Sequence, residues 1–408
     1  MADEPISLSR ETPGVMTGIA LLLPITLSTM AIVLLAPVLP QLLDEFSAVP
    51  GYEYWVPMIL TIPALCVAFL SPIAGMLGDR FGRRRLLLAS FLLYALVGIA
   101  PVFVKTLPAI LISRVGVGVA EALIMVLSTT LIGDYFKGAA RDKWLAGQTA
   151  FASMSALLFF NLGGQLGAFG WRTPFWTYAS ALLMFALVLH FTWEPKAEPR
   201  PAATAPQGSS WAGFPWRRMA MILAITVYGS IFFYTVQIQA SSGLVELGLQ
   251  NPARIGFLTS IASIGVPLGT LLYSRIGRWP VRRLLLIEFA MLAAGFASMG
   301  TAHAPTPFLI GCFLNQFGAG MLLPTLLVWS MSLLSFQIRG RGAGLWQSAF
   351  AFGQFLSPVV VTLLSRQAGG LLGAFGLLSA GALIGAGVAL VAPFRRGDLP
   401  VDGAIAHG

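Results

Sequence analysis

Long apolar runs separated by short polar breaks dominate the chain. They lie near residues 15–40, 55–77, 86–104, 107–133, 145–168, 174–193, 217–240, 254–274, 284–302, 306–335, 343–365 and 369–393, twelve in all. Each matches the ~20 residues that a helix needs to cross ~30 Å of hydrocarbon. Between the sixth and seventh runs, residues 194–215 read EPKAEPRPAATAPQGSSWAGFP, rich in Pro, Ala and Ser, which is linker composition. The pattern predicts an all-α polytopic membrane protein. An N-terminal six-helix bundle occupies 1–193, a linker 194–216, a second six-helix bundle 217–394 and a tail 395–408.

Composition agrees: 57% of residues are hydrophobic and 10% charged, against about 25% charged in a soluble domain. The formal charge of +9 raises the question of nucleic acid, and the placement of the basic residues answers it. With both termini on the cytoplasmic side, 20 of the 25 Lys and Arg fall in inside segments. Four (Lys105, Arg172, Arg254, Arg366) fall outside, and Arg114 lies within a span. This is the positive-inside distribution, so the basic charge sets topology and no nucleic-acid partner is expected. Cys66 and Cys312 lie in apolar runs, which fits neither a disulfide framework nor a metal site. The acidic start, Met1 to Glu4, has no cleavage-type signal, and an inner (plasma) membrane location is expected.

The two halves echo each other. DRFGR at 79–83 has a counterpart SRIGR at 274–278, offset by 195; QTAF at 148–151 has QSAF at 347–350, offset by 199. Same order and nearly equal offset suggest an internal duplication. Two repeated six-span halves imply a binding site between them near the membrane midplane.

One stretch, GMLGDRFGRRRLLL at 75–88, packs an acid and four arginines into this apolar chain. Gly75, Leu77, Asp79, Arg80, Gly82, Arg83 and Arg84 resemble the signature between spans two and three of the major facilitator superfamily. Span count, linker, loop charges and duplication extend the resemblance over the whole chain. It implies alternating access, in which two bundles rock about a central cavity lined mainly by spans 1, 4, 7 and 10. Among subfamilies the chain looks most like the proton-coupled drug-efflux type, through LAPVLPQL at the end of span 1 and GQFLSP at 353–358. The resemblance also implies a gate: Asp79 faces the start of span 11, near Gly342 and Gly344, and Arg83 bridges to Asp134 in GDYF. Gly75 allows close packing on span 11 and Gly82 makes the turn. The second copy departs from this pattern, since Ser274 replaces the acid, so the halves should gate unequally.

Two acids lie away from the loops, Glu121 and Glu288. A charge at the bilayer centre costs about 2.5–3.5 kcal/mol even on the lenient insertion scale, so each needs a partner, a proton or a purpose. Glu288 follows Arg282 and Arg283 and is expected to snorkel to the cytoplasmic surface and pair there. Glu121 shares one helical stripe with Arg114, Gly118, Met125 and Ser128. Arg114 and Glu121 are two turns apart, about 10 Å, within reach through long side chains or water. Desolvation and a nearby cation pull such an acid in opposite directions, which suits proton exchange; a stable buried salt bridge is the alternative. The proton is the expected coupling ion. No other cofactor is expected, and no G-x-x-x-x-G-K-[ST] nucleotide motif occurs.

The candidate substrate cavity comprises Met125, Asn161, Ser230, Phe233, Tyr234, Gln237, Asn315, Gln316, Gln347 and Gln354, a mostly apolar lining with scattered amides. Any one of them could equally serve helix packing. The second half holds no central acid or base, which favours neutral or lipophilic compounds. Arg114, if not satisfied by Glu121, would favour organic anions. The exporter pattern G-x-x-x-G-P-x-x-G-G is incomplete in span 5, where only Gly163 and Gly164 remain. The expectation is a monomeric secondary transporter exporting small amphipathic molecules against protons. The alternatives are a symporter or uniporter for an organic anion or lysolipid, or a sensor without turnover. His190, His303 and His407 are isolated and no G-x-S-x-G occurs, so no enzyme is expected.

Overall fold

The computed structural model describes residues 13–195, 214–334 and 339–391. The body of the linker and the tail 395–408 lie outside these. Among the described residues there is no strand, and twelve helices are long and apolar enough to cross a membrane. Spans 1 to 6 are Val15–Glu45, Tyr52–Phe81, Arg83–Val102, Leu107–Tyr135, Gly138–Gly167 and Thr173–Phe191. Spans 7 to 12 are Trp216–Glu246, Pro252–Ile276, Val281–Gly300, Pro305–Ser332, Gly342–Ala368 and Leu371–Val391.

Proline and glycine punctuate these helices where the backbone must bend. Span 1 is interrupted after Leu22 and again at a 3₁₀ turn, Ala36–Val38. Pro24, Pro37 and Pro40 each remove a backbone donor there. Spans 2 and 3 run longer than the hydrophobic pattern alone predicts. Nearly all of 75–88 is helical, and the connection is the single residue Gly82 at φ 90°, a conformation that costs little only without a Cβ.

Each half builds its own apolar core. Phe91, Tyr94, Phe175 and Tyr178 anchor the first, joined by Ile238 of span 7; Phe232, Phe296, Phe308, Phe375 and Trp329 anchor the second. Large apolar side chains such as Leu96, Ile112, Leu183 and Ile384 point outward, as a lipid-facing surface requires. Cys66 and Cys312 are free thiols.

The halves meet from mid-span to the end opposite the arginine-rich loops. Ala64 and Ala68 of span 2 pack on Ala351 of span 11, and Ser348 Oγ donates to the Ala68 carbonyl at 2.9 Å. Nearer that end, Thr362 Oγ1 donates to the Glu53 carbonyl at 3.1 Å, and Arg366 pairs with the Glu53 carboxylate while its guanidinium lies 4.8 Å over the Tyr54 ring. Spans 5 and 8 touch backbone to backbone: a Cβ on Gly164 would stand 2.8 Å from the Gly256 Cα and 2.5 Å from the Pro252 carbonyl. At the basic end the spans diverge. A Cβ on Gly75 would meet only Val126 of its own half, and one on Gly344 would meet nothing within 4 Å. Among the described residues, the contacts between the halves thus lie from mid-span to the end opposite the basic loops.

Candidate functional site

Glu121 is the midpoint residue of span 4 and is 4% exposed. Its Oε1 accepts from Ser28 Oγ of span 1 at 2.5 Å, while Oε2 has no partner. Ile238 of span 7 is buried in the core of the first half and Tyr234 packs against that core, so span 7 of the second half lies against the half that holds Glu121. Ser28 was not legible as a partner; one hydroxyl among several in an apolar run carries no periodic mark.

Arg114 does not reach Glu121. Its side chain, 0% exposed, turns toward spans 3 and 6. Nη2 donates to the carbonyls of Val97 at 3.2 Å and Gly98 at 3.1 Å, and Nε to Ser113 Oγ at 3.3 Å. The guanidinium lies 5.1 Å from the Phe175 ring and 4.9 Å from that of Tyr178, two rings that stack on each other with centroids 6.2 Å apart. These are cation–π contacts that strengthen when desolvated; Nη1 has no hydrogen-bond partner. The 3₁₀ segment Thr173–Ala179 presents both rings. Arg114 and Glu121 share a stripe, but an aromatic cage next to Arg114 takes up the guanidinium.

Glu288 does not snorkel. It is 0% exposed; Oε1 accepts from Thr325 Oγ1 of span 10 at 2.6 Å and Oε2 is unpartnered. Span 10 covers it before it can reach the surface.

At the basic end, Arg83 Nη1 donates to both oxygens of Asp134 at 2.6 Å, and Nη2 to Asp79 Oδ1 at 2.6 Å. Arg83 thus ties spans 2, 3 and 4 together. Asp79 remains 60% exposed and pairs with Arg83 within its own half rather than against span 11. Arg80 lies over the Phe81 ring at 5.3 Å. Glu194, assigned to the linker by composition, belongs to this assembly. Its carboxylate accepts from the backbone N–H groups of Arg84 and Arg85, each at 3.2 Å, and so caps the N-terminus of span 3. Arg84 itself donates to Thr192 Oγ1 and the Leu189 carbonyl, fastening span 6.

The predicted cavity residues divide. Gln237 Nε2 donates to Gln316 Oε1 at 2.5 Å, and Gln316 Nε2 to Asn315 Oδ1 at 3.2 Å and the Phe233 carbonyl at 3.3 Å, one amide chain joining spans 7 and 10. The Phe233 and Tyr234 rings are 4.8 Å apart. The Phe350 ring is 5.3 Å from that of Tyr234 and stacks on Trp346, an aromatic group that the sequence reading left out, at 5.5 Å. Met125, Asn161 and Gln347 are half-buried and Gln354 buried. Ser230 serves packing, since its Oγ donates to the Phe350 carbonyl at 2.6 Å beside Gly353.

The sequence profile described as Major Facilitator Superfamily matches residues 21–358 and 251–403. The 3-(3-hydroxy-phenyl)propionate transporter of Escherichia coli K12 is 27% identical, over 78% of this chain and 79% of its own. Multidrug resistance protein 1 of Bacillus subtilis 168 is 22% identical over 81% and 85% respectively. Among solved structures, a bacterial homolog of the human lysosomal transporter Spinster, inward-facing and unoccupied, superimposes with TM-score 0.72 at 19% identity. That match covers 93% of this chain and 88% of the other.

Proposed function

Because the chain belongs to the major facilitator superfamily, and so is a multi-pass membrane transporter rather than an enzyme, we infer that it is a proton-coupled secondary transporter that exports small, mostly apolar molecules by alternating access. Glu121 carries this reading. It is a buried acid at the middle of the membrane, held by one hydroxyl, with a free oxygen and no cation partner. An ionised carboxylate there would pay a large desolvation cost, so proton binding and release follow the opening and closing of the cavity. With the arginine-rich loops cytoplasmic, the diverging end faces the cytoplasm, Glu53–Arg366 and the Gly164–Gly256 contact close the outside, and both termini are cytoplasmic. The gate implied for Asp79 and the start of span 11 would form in the opposite state, with Arg83 and Asp134 holding Asp79 in place.

The lining supports an uncharged or lipophilic cargo. Phe233, Tyr234, Trp346 and Phe350 offer aromatic surface and the amide chain offers hydrogen bonds. Multidrug resistance protein 1, similar over most of the chain, supports export. The similarity to an aromatic-acid transporter favours a second reading, proton-driven uptake of an organic anion. Against it, Nη2 of Arg114 is engaged by carbonyls and the guanidinium lies against two rings on the side of spans 3 and 6, although its buried Nη1 is unpartnered.

The deciding experiment uses inverted membrane vesicles with an imposed pH gradient, acid inside. Compounds are first selected by thermal shift of the purified protein. Export predicts gradient-driven accumulation that Glu121→Gln abolishes while thermal-shift binding persists. Proton-coupled accumulation at the normal rate by Glu121→Gln would falsify the assignment of the carrier, and uptake into whole cells driven by an inward proton gradient would reverse the direction.

A further inference from the structure

Glu288 has no part in the cavity, yet its burial is complete and its surroundings are unusually free of charge. It lies seven residues into span 9 from the basic end, about 10 Å along the axis, and makes its one hydrogen bond to Thr325. Spans 10 and 12, which pack most heavily on span 9, contain no acid, lysine, arginine, histidine or tyrosine. Their sole titratable side chain is Cys312, whose thiol lies against Met299 toward the far end of span 9. Tyr228 of span 7 reaches the neighbouring Phe289 ring at 5.9 Å, and its hydroxyl donates to the Gly381 carbonyl. Arg282 and Arg283, at the start of span 9, are exposed, and no ion pair to Glu288 occurs among the described residues.

A carboxyl in such a wall has no cation to offset its charge. One hydroxyl does not replace the water that an anion loses on burial. The group is therefore stable only in its neutral form. Its partner adds a second observation. Thr325 follows Pro324, whose missing N–H leaves the Gly320 carbonyl of span 10 without its helical donor; Thr270 Oγ1 of span 8 supplies that bond at 2.9 Å. The turn that Glu288 holds is thus the one where span 10 is least secured by its own backbone.

We propose that Glu288 and Thr325 form a second proton-binding site, inside the wall of the C-terminal half and separate from Glu121, whose bound proton keeps span 10 fastened to span 9 at the Pro324 turn. Loss of that proton leaves an unpaired carboxylate in an apolar wall, and the turn must part from span 9 to admit water.

The test needs neither a substrate nor transport. Infrared pH-difference spectra of the purified full chain in lipid nanodiscs report the carbonyl stretch of protonated carboxyl groups. Glu121→Gln and Glu288→Gln should each remove a distinct component, and the double variant both. Thr325→Val should shift the Glu288 component to higher frequency by removing its hydrogen bond, and this variant keeps the site testable if Glu288→Gln folds poorly. A Glu288→Gln spectrum identical to wild type from acid to alkaline pH, or an unshifted component in Thr325→Val, would overturn the proposal. So would loss of the Glu288 component on replacing potassium by sodium, because the ligand would then be a metal cation. A wild-type spectrum with no component that Glu121→Gln removes, but with the Glu288 component present, would count against the transport reading and leave this one standing.

Discussion

The two halves place different chemistry at corresponding positions. Shifted by the 195 residues that separate DRFGR from SRIGR, Glu121 falls on Gln316. Both lie in the fourth span of their half and both bond to the first span of that half: Glu121 to Ser28, Gln316 to Gln237. One atom separates the side chains, an oxygen against a nitrogen, and only the first can bind and release a proton. The basic loops repeat the lesson. Asp79, Arg83 and Asp134 form a charged knot in the first half, whereas Ser274 Oγ merely donates to the Leu271 carbonyl of its own helix. The charged groups of the proposed proton site and gate thus lie in the N-terminal half, and the C-terminal half offers amides and rings at the equivalent level.

Glu121→Gln makes the two centres alike and should have the largest effect. A one-unit pH gradient is worth about 1.4 kcal/mol, or roughly tenfold accumulation, and vesicle flux should show that driving term gone. Gln316→Glu makes the centres alike in the other direction. An ionised carboxylate there would lose the donation to Asn315 Oδ1 and the Phe233 carbonyl, each buried loss costing about 1–3 kcal/mol. Burial favours the protonated acid, whose single O–H keeps one of the two donations, so the stability deficit is smallest at low pH and grows as pH rises. Melting temperature followed against pH should fall more steeply than in wild type. Asp134→Asn removes the charge from the bidentate end of the knot while Asp79 still pairs with Arg83. Partly exposed as it is, this end is worth about 1 kcal/mol, and turnover should drop severalfold with membrane insertion unchanged; normal turnover would separate the knot from gating. Ser274→Asp restores the missing acid to the second half. With no partner assembly around it, the change should alter flux by less than about twofold, the scale of an exposed charge. A large gain would mean that the halves differ less than their charges do.

The spans were legible because hydrocarbon thickness writes itself into run length, and all twelve lie close to the apolar runs. Helix ends were less so: 78–81 and 83–85 are charged yet helical, since the helices project beyond the apolar layer. Of the site, the Arg83–Asp134 bridge and the amides of spans 7 and 10 were within reach of motif and position. The failures concern side-chain direction. Arg114 and Glu288 were each placed on the correct helix, but a helical stripe does not reveal that the rings of Phe175 and Tyr178, or the hydroxyl of Thr325, wait on a neighbouring span. Glu194 was hidden by composition, because a capping acid looks like any other linker charge.

The contact between Gly164 and Gly256 bears on how such a protein could diversify. This contact is made where side chains are missing, so, unlike the Glu53–Arg366 pair at the same end, it encodes no side-chain preference. On the proposed function, substitutions at Tyr234, Trp346 or Gln316 would retune recognition while the glycine contact keeps the same backbone shape. Selection for new compounds can therefore act on one set of residues without renegotiating closure, provided those two positions stay bare.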